Sequence, residues 1–313
     1  MKIKKAVITA AARNERLYPV ATTVQKAMLP IVDIDGINKP IIQIIAEEAF
    51  QSGIEEICIV CAPGDEERYL DSFNSLHTTS LKIHHQSSWA ETQASNIKNI
   101  LDRLSFVVQA EPRGYGHAVY QAKEFIKKDP FLLLHGDYLF VSNLPDKRCS
   151  KQIIDLAEKE GCSVSAVNPT IEHQIGKYGT LTGRNYKTHE GVYQIETIVE
   201  KPSISQAELD LKTSGLRAGY YLCFFGMHVF QPLLFDFLSE ELRTAKGENI
   251  LLTPVQQKIA LNEKYLALEI KGRRFDTSKK LGLFQAQLAL GLAGEIRDEV
   301  LTTLVQTLSD YNR

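Results

Sequence analysis

Asp137 closes an unbroken apolar run, Phe131-Leu132-Leu133-Leu134-His135-Gly136-Asp137. A carboxylate at the carboxyl end of a buried strand, beside a glycine, suits a hard divalent cation that shares phosphate oxygens. An aspartate that starts a turn or caps a helix fits the same pattern, so both readings stand on this stretch alone. Arg16 and Lys26 lie in the polar segment after the apolar run Ala6-Val7-Ile8, where Pro19 and Pro30 argue against one regular helix. A cationic loop after a first strand is where phosphate-bearing ligands sit in open α/β sheets. A surface loop of solvated lysines and arginines is the equal alternative. Gly114 and Gly116 follow the apolar run 106–109 and precede a helix expected from His117. Glycines there let backbone N–H groups and the positive helix end face a ligand, though many turns share that pattern. His117 itself reads as a helix-start residue.

The elements that must hold these groups read as α/β. Buried strands are expected at 6–8, 57–61, 106–109, 131–134, 163–168 and 265–270, with helices at 41–51, from 117, and at 149–160. Residues 65–103 read as helix or loop, with Trp89 and the pair His84-His85 unassigned. Adjacent histidines point apart, so a metal role there carries little weight. Segments 180–182 and 191–199 are β-rich, 224–237 is an aromatic core stretch, and 295–311 is an amphipathic helix. Ile296, Val300, Leu301, Leu304, Val305 and Leu308 share one face of that helix, to dock on its own domain or on a partner subunit.

Length and composition narrow the class. The 313 residues suit one large α/β domain, or one domain with a sizeable insertion. Lys plus Arg is 36 against 38 Asp plus Glu, a net charge of −2, which offers no basic face for nucleic acid or an anionic membrane. No apolar run is long enough to span a bilayer, and the immediate entry into a strand leaves no room for a signal peptide. Cys58-x-x-Cys61 sits inside the apolar run Ile57-Cys58-Ile59-Val60-Cys61 with no second pair or nearby histidine. Core thiols are therefore expected rather than zinc or redox chemistry, in a reducing cytoplasmic setting.

Strand, loop, Arg16, Pro19, Lys26 and Met28-Leu29-Pro30 together resemble the signature of sugar-1-phosphate nucleotidyltransferases, closest to the bacterial UTP–glucose-1-phosphate uridylyltransferase branch. That family's loop reads Gly-x-Gly-Thr-Arg, then Pro, then Pro-Lys-Glu-Met-Leu-Pro. Here Ala12 and Asn14 stand in place of the two glycines, Glu15 in place of threonine, and Gln25 and Ala27 flank the lysine. Asn tolerates the left-handed conformation that glycine allows. A carboxylate at Glu15 repels a triphosphate unless it turns away or pairs with Arg13 or Arg16. Four further motifs follow in the family's order: Gln109 through Gly114-Tyr-Gly-His-Ala-Val, Gly136-Asp137, Lys177-Tyr178-Gly179 with Val199-Glu200-Lys201-Pro202, and Asp276 before a helix. Arg113 stands where lysine is common, Pro254 where the family has aspartate, and Ser278 where it has glycine.

The resemblance spans nearly the whole chain. It implies a doubly wound, mostly parallel, Rossmann-like α/β sheet. The catalytic domain would cover 1–293, with a smaller β-rich sugar-side region at about 170–275, then the C-terminal helix at 294–313. It implies a nucleotide site at Ala11, Ala12, Gln109, Gly114 and Asp137, and a sugar-phosphate site at Gly179, Glu200, Lys201 and Gly219. Mg²⁺ would sit on Asp137 and Asp276. Arg16 and Lys26 would steady the triphosphate, and Lys201 would hold the attacking phosphate. The reaction implied is uridylyl transfer from UTP to glucose 1-phosphate, releasing pyrophosphate, in a cytoplasmic homodimer or higher homo-oligomer. Two other readings stay open here: a catalytically impaired binding or regulatory homologue, and a nucleotidyltransferase for another sugar or NTP.

Overall fold

The computed structural model describes residues 1–12, 17–18, 23–83, 87–186, 190–245 and 247–311. β1 (Lys5–Thr9) leads through a 3-10 turn (Lys26–Met28) to a ribbon of β2 (Pro30–Val32) and β3 (Asn38–Pro40), then α1 (Ile41–Phe50). β4 (Glu56–Cys61), α2 (Asp65–Ile83), α3 (Ser88–Leu101), β5 (Leu104–Val108), α4 (Tyr115–Gln121) and α5 (Lys123–Ile126) follow. Next come β6 (Phe131–His135), β7 (Tyr138–Ser142), α6 (Cys149–Glu160), β8 (Ser163–Ile171), β9 (Gly179–Asn185) and β10 (Val192–Glu200). The chain continues with α7 (Ile204–Asp210), β11 (Tyr220–Phe230), α8 (Leu233–Thr244), α9 (Thr253–Asn262) and β12 (Tyr265–Glu269). It ends with β13 (Gly272–Asp276), α10 (Gly282–Ala293) and α11 (Arg297–Tyr311).

Strands β1, β4 and β6 read as continuous apolar runs because both faces of the sheet are covered. Alternate residues of β1 show it: Ala6 and Ile8 pack with α1, α6 and α10, whereas Val7 packs with α4, α8 and α9. That is the doubly wound arrangement. The main sheet runs β5-β4-β1-β6-β11-β8-β12-β10-β9. β5, β4, β1 and β6 are parallel, and β12 is parallel to β8. β11 runs against both of its neighbours, and β10 against β12 and β9.

Two registers position the site. Thr9 pairs with His135, so the ends of β1 and β6 lie side by side, and Asp137 meets Lys26. Gly136 permits this closeness, because a Cβ there would come within 2.8 Å of Thr9 O. The second register belongs to the small antiparallel ribbon β13–β7, which sets Asp276 opposite Tyr138. Thr277 fastens the junction: its N–H and its hydroxyl both donate to Asp137 O, at 2.9 and 2.8 Å.

The aromatic stretch expected as one block divides into β11 and α8, separated by Gln231 and Pro232. All five cysteines are buried free thiols, and burial raises Cys58 and Cys61 to about 12, which suits core packing and not redox work. The apolar face of α11 is only partly covered. Val300 and Ile296 lie against Gly291 of α10, while Leu301, Val305 and Leu308 stay exposed. His84 and His85 lie outside the described residues. No described helix is long and apolar enough to cross a membrane.

Candidate active site

Two chambers open beside the carboxyl ends of β1 and β6. One, of about 630 Å³, is lined by Thr9, Ala11, Ala12, Lys26, Gln109 and Gly114. The other, of about 580 Å³, is lined by Tyr178, Gly179, Glu200, Lys201, Arg274 and Asp276. Tyr115, His135 and Asp137 line both. The fold thus gathers the sequence-expected nucleotide residues on one side and all the sugar-phosphate residues except Gly219 on the other, with Asp137 between them.

Lys26 reaches the shared wall from its 3-10 turn, its Nζ 2.6 Å from Asp137 Oδ2. Both side chains are largely enclosed, so this is a charge-assisted hydrogen bond away from bulk water. Asp276 has its own lysine, with Lys279 Nζ 2.8 Å from Oδ2. Its Oδ1 accepts from Ser278 N at 3.1 Å and from Ser278 Oγ at 2.5 Å. Burial alone would raise the Asp276 carboxyl, but Lys279 and Ser278 outweigh it and hold the group below its ordinary value. Ser278 thus donates two hydrogen bonds to this carboxylate.

In the first chamber, Gln109 Nε2 donates to Gly114 O at 3.2 Å and contacts His117 Nδ1 at 3.0 Å. Gly114, at φ +92°, would bring a Cβ within 2.7 Å of Ile250 O. The glycine loop is therefore shaped as much by the incoming 247–252 segment as by any ligand. Ile250 N donates to Arg113 O, and Gly116 N to Ile250 O, each at 2.8 Å. Arg16, with Asn14 and Glu15, lies outside the described residues.

The β9–β10 register sets Gly179 opposite Glu200, where a Cβ would meet Phe224 Cδ2 at 2.8 Å and Glu200 Oε2 at 3.3 Å. Thr253 Oγ1 donates to Glu200 Oε2 at 2.5 Å, and Lys201 Nζ lies 3.4 Å from Oε1. Lys201 is held at φ +47°, uncommon for a residue with a side chain, and its largely exposed side chain belongs to a residue lining the chamber. Strain of this kind gathers at binding sites. Gly219 is placed differently from expectation. It lines neither chamber, turns the chain into β11 at φ +76°, and its carbonyl accepts from Glu172 N at 2.9 Å. Its positive φ is what requires glycine at this turn.

Sequence reasoning assigned no role to the row of rings that floors the cleft. Tyr115 stacks on His135 with centroids 4.4 Å apart, and His135 on Tyr138 at 4.7 Å. The Arg274 guanidinium lies 5.1 Å from the Tyr138 ring and 4.3 Å from Tyr178, while Arg274 Nη1 donates to Phe224 O at 2.6 Å. Burial pushes His135 down to about 4, with Asp137 opposing and Arg274 adding to the shift. Behind them His228, down to about 3 through burial, meets Ser165 Oγ at 2.6 Å. Reading 272–276 as a strand would have exposed Arg274, since residues two apart share a face with Asp276.

Residues 5–290 match the family described as nucleotidyl transferase. The chain is 31% identical over 315 residues to a UTP–glucose-1-phosphate uridylyltransferase of Streptococcus pneumoniae serotype 4, covering 97% of this chain and 96% of that one. It is 32% identical over 312 residues to the UTP–glucose-1-phosphate uridylyltransferase YngB of Bacillus subtilis, covering 99% and 95%. A solved UDP-glucose pyrophosphorylase complexed with UDP-glucose superposes with a TM-score of 0.72 at 29% identity, over 92% of this chain and 98% of that one.

Proposed function

The chain belongs to the nucleotidyl transferase family, and from that premise we propose that it transfers a uridylyl group from UTP to glucose 1-phosphate, giving UDP-glucose and pyrophosphate. An oxygen of the sugar phosphate attacks the α-phosphorus of UTP. The bond from that phosphorus to the bridging oxygen breaks, and pyrophosphate leaves with the electron pair. The observation that carries this reading is the pair of chambers sharing the wall at Asp137. A nucleotide in one and a sugar phosphate in the other would meet there.

The sugar phosphate is already anionic near neutral pH, so no general base is required. The obstacle is repulsion between two anions, and the chain answers with alignment and positive charge. Gln109 and the Gly114 backbone read the uracil edge, while Ala11 and Ala12 let the chain approach the nucleotide. Lys26 and Arg16 steady the triphosphate. Glu200, braced by Thr253, accepts sugar hydroxyls, and Lys201 holds the attacking phosphate. Asp137 and Asp276 line the same chamber and present hard oxygen donors, which fits a divalent cation held by few carboxylates; Mg²⁺ is the ion we assign. When bound, it supplies neutralisation of phosphate charge.

The exposed Leu301, Val305 and Leu308 on α11 favour a homo-oligomer, and the five buried thiols favour the cytoplasm. The test of the whole reading is pyrophosphate release from a matrix of NTPs and sugar 1-phosphates with Mg²⁺. UTP with glucose 1-phosphate should give the fastest turnover. Preference for another pair would reassign the substrates, and silence across the matrix would reject the activity.

A further inference from the structure

We propose that His135 is a catalytic residue that donates a hydrogen bond to a non-bridging oxygen of the phosphoryl group being transferred. The inference rests on the uridylyl-transfer reading, which places the reacting phosphorus at the wall common to the two chambers. Three residues form that wall, and each has a different chemistry. Asp137 is an acceptor paired with Lys26, Tyr115 is a ring whose buried hydroxyl is turned away from solvent, and His135 carries ring nitrogens.

His135 makes no hydrogen bond with any described residue, although most of its neighbours are protein. A partly enclosed imidazole whose nitrogens have no partner among the described residues is poised for something that enters the cleft. Its orientation is fixed by packing instead. Tyr115 covers one face at 4.4 Å with planes 6° apart, and Tyr138 covers the other at 4.7 Å and 27°. A Cβ on Gly226 would lie 3.3 Å from His135 Cδ2, so that carbon edge faces the backbone of β11 and the Nδ1 edge is turned from it. A ring clamped on both faces and along one edge has little freedom left. Such a donor is aimed before substrate arrives and needs no reorganisation as charge moves through the transferring phosphoryl group.

The stack also explains two residues around it. Gly226, at φ +85°, removes the side chain that would run into the Tyr138 ring. Arg274, 5.1 Å from the centroid of Tyr138, packs on that ring in turn. On this account both act on the reaction through the placement of His135, as positioning residues.

The test compares His135→Phe and His135→Gln with wild type. Phenylalanine keeps the stack and removes both nitrogens; glutamine loses the stack and restores an N–H donor. The expected result is a fall in kcat on the order of a hundredfold for His135→Phe, with UTP affinity by calorimetry and Tm near wild type. His135→Gln should retain more turnover than His135→Phe despite its poorer packing. Wild-type kcat in His135→Phe overturns the proposal. So does a loss confined to UTP affinity with kcat intact at saturation, or a glutamine variant no better than phenylalanine. A wild-type protein that makes no UDP-glucose rejects the functional reading and this inference with it, whereas an active wild type beside an indifferent His135→Phe rejects this inference alone.

Discussion

Lys26 Nζ stands 2.6 Å from Asp137 Oδ2, so the lysine expected to steady the triphosphate and the aspartate expected to hold the cation neutralise each other in the free protein. Asp276 and Lys279 repeat the relationship at 2.8 Å on the opposite strand end. A divalent cation must therefore compete with Lys26 for the same oxygen, and a triphosphate gives Lys26 somewhere else to go. Binding of Mn²⁺, followed by electron paramagnetic resonance, should be weak without nucleotide and strong with it. Lys26→Met should tighten nucleotide-free Mn²⁺ binding by about tenfold, the worth of one charged hydrogen bond. Equal affinity in the two proteins would show that the pair is no barrier to the cation.

Thr253 braces Glu200 through a 2.5 Å hydrogen bond from the first residue of α9. Thr253→Val keeps the shape and drops the donor. It should raise KM for glucose 1-phosphate roughly five- to tenfold while leaving KM for UTP alone, since one such bond contributes about 1 kcal/mol. Thr253→Ser should restore the wild-type value. Parallel rises in both KM values would point to general damage instead.

Gly179→Ala addresses the other side of Glu200. The added methyl meets Phe224 at 2.8 Å and Glu200 at 3.3 Å, so something must shift. Overpacking of this kind costs about 1–3 kcal/mol. A lowered Tm together with a raised KM for the sugar phosphate is expected, and an unchanged KM would remove Gly179 from the sugar site.

His228 supplies a pH dependence. Burial holds it near 3, below its ordinary 6.5, among Ser165, Gln256, Phe224 and Phe230. Below pH 6.5 the unfolded chain takes up a proton that native His228 does not. Stability is therefore unaffected by this group above 6.5 and falls as pH drops from there towards 3. The slope is about 1.4 kcal/mol per pH unit in mid-window. Urea midpoints at pH 7, 5.5 and 4 should decline less steeply for His228→Asn than for wild type. Parallel slopes would mean that His228 is protonated in the native state.

Much of this was legible in the sequence where local pattern and chemistry coincide. β1, β4 and β6 are apolar runs because helices cover both faces, and Asp137 stands out at the end of such a run. Lys201 and Glu200 belong to a short contiguous motif. What could not be read was created by long-range register. Asp276 was placed in the site by resemblance alone; the β13–β7 pairing that carries it there was not expected. Tyr115, the near neighbours His135 and Tyr138, and Arg274 come from three separate stretches, and no local spacing announces that the three rings stack with the Arg274 guanidinium beside them. Gly219 shows the converse: a glycine inside a motif that lines neither chamber and whose positive φ turns the chain into β11.

The central claim is that Asp137 enables two anions to react. Its direct test is pyrophosphate release from UTP and glucose 1-phosphate with Mg²⁺, measured for wild type and Asp137→Asn, with UTP binding and Tm as controls. The account predicts that the variant folds, keeps Tm near wild type, and loses kcat by about a hundredfold or more. Wild-type turnover in Asp137→Asn would contradict it.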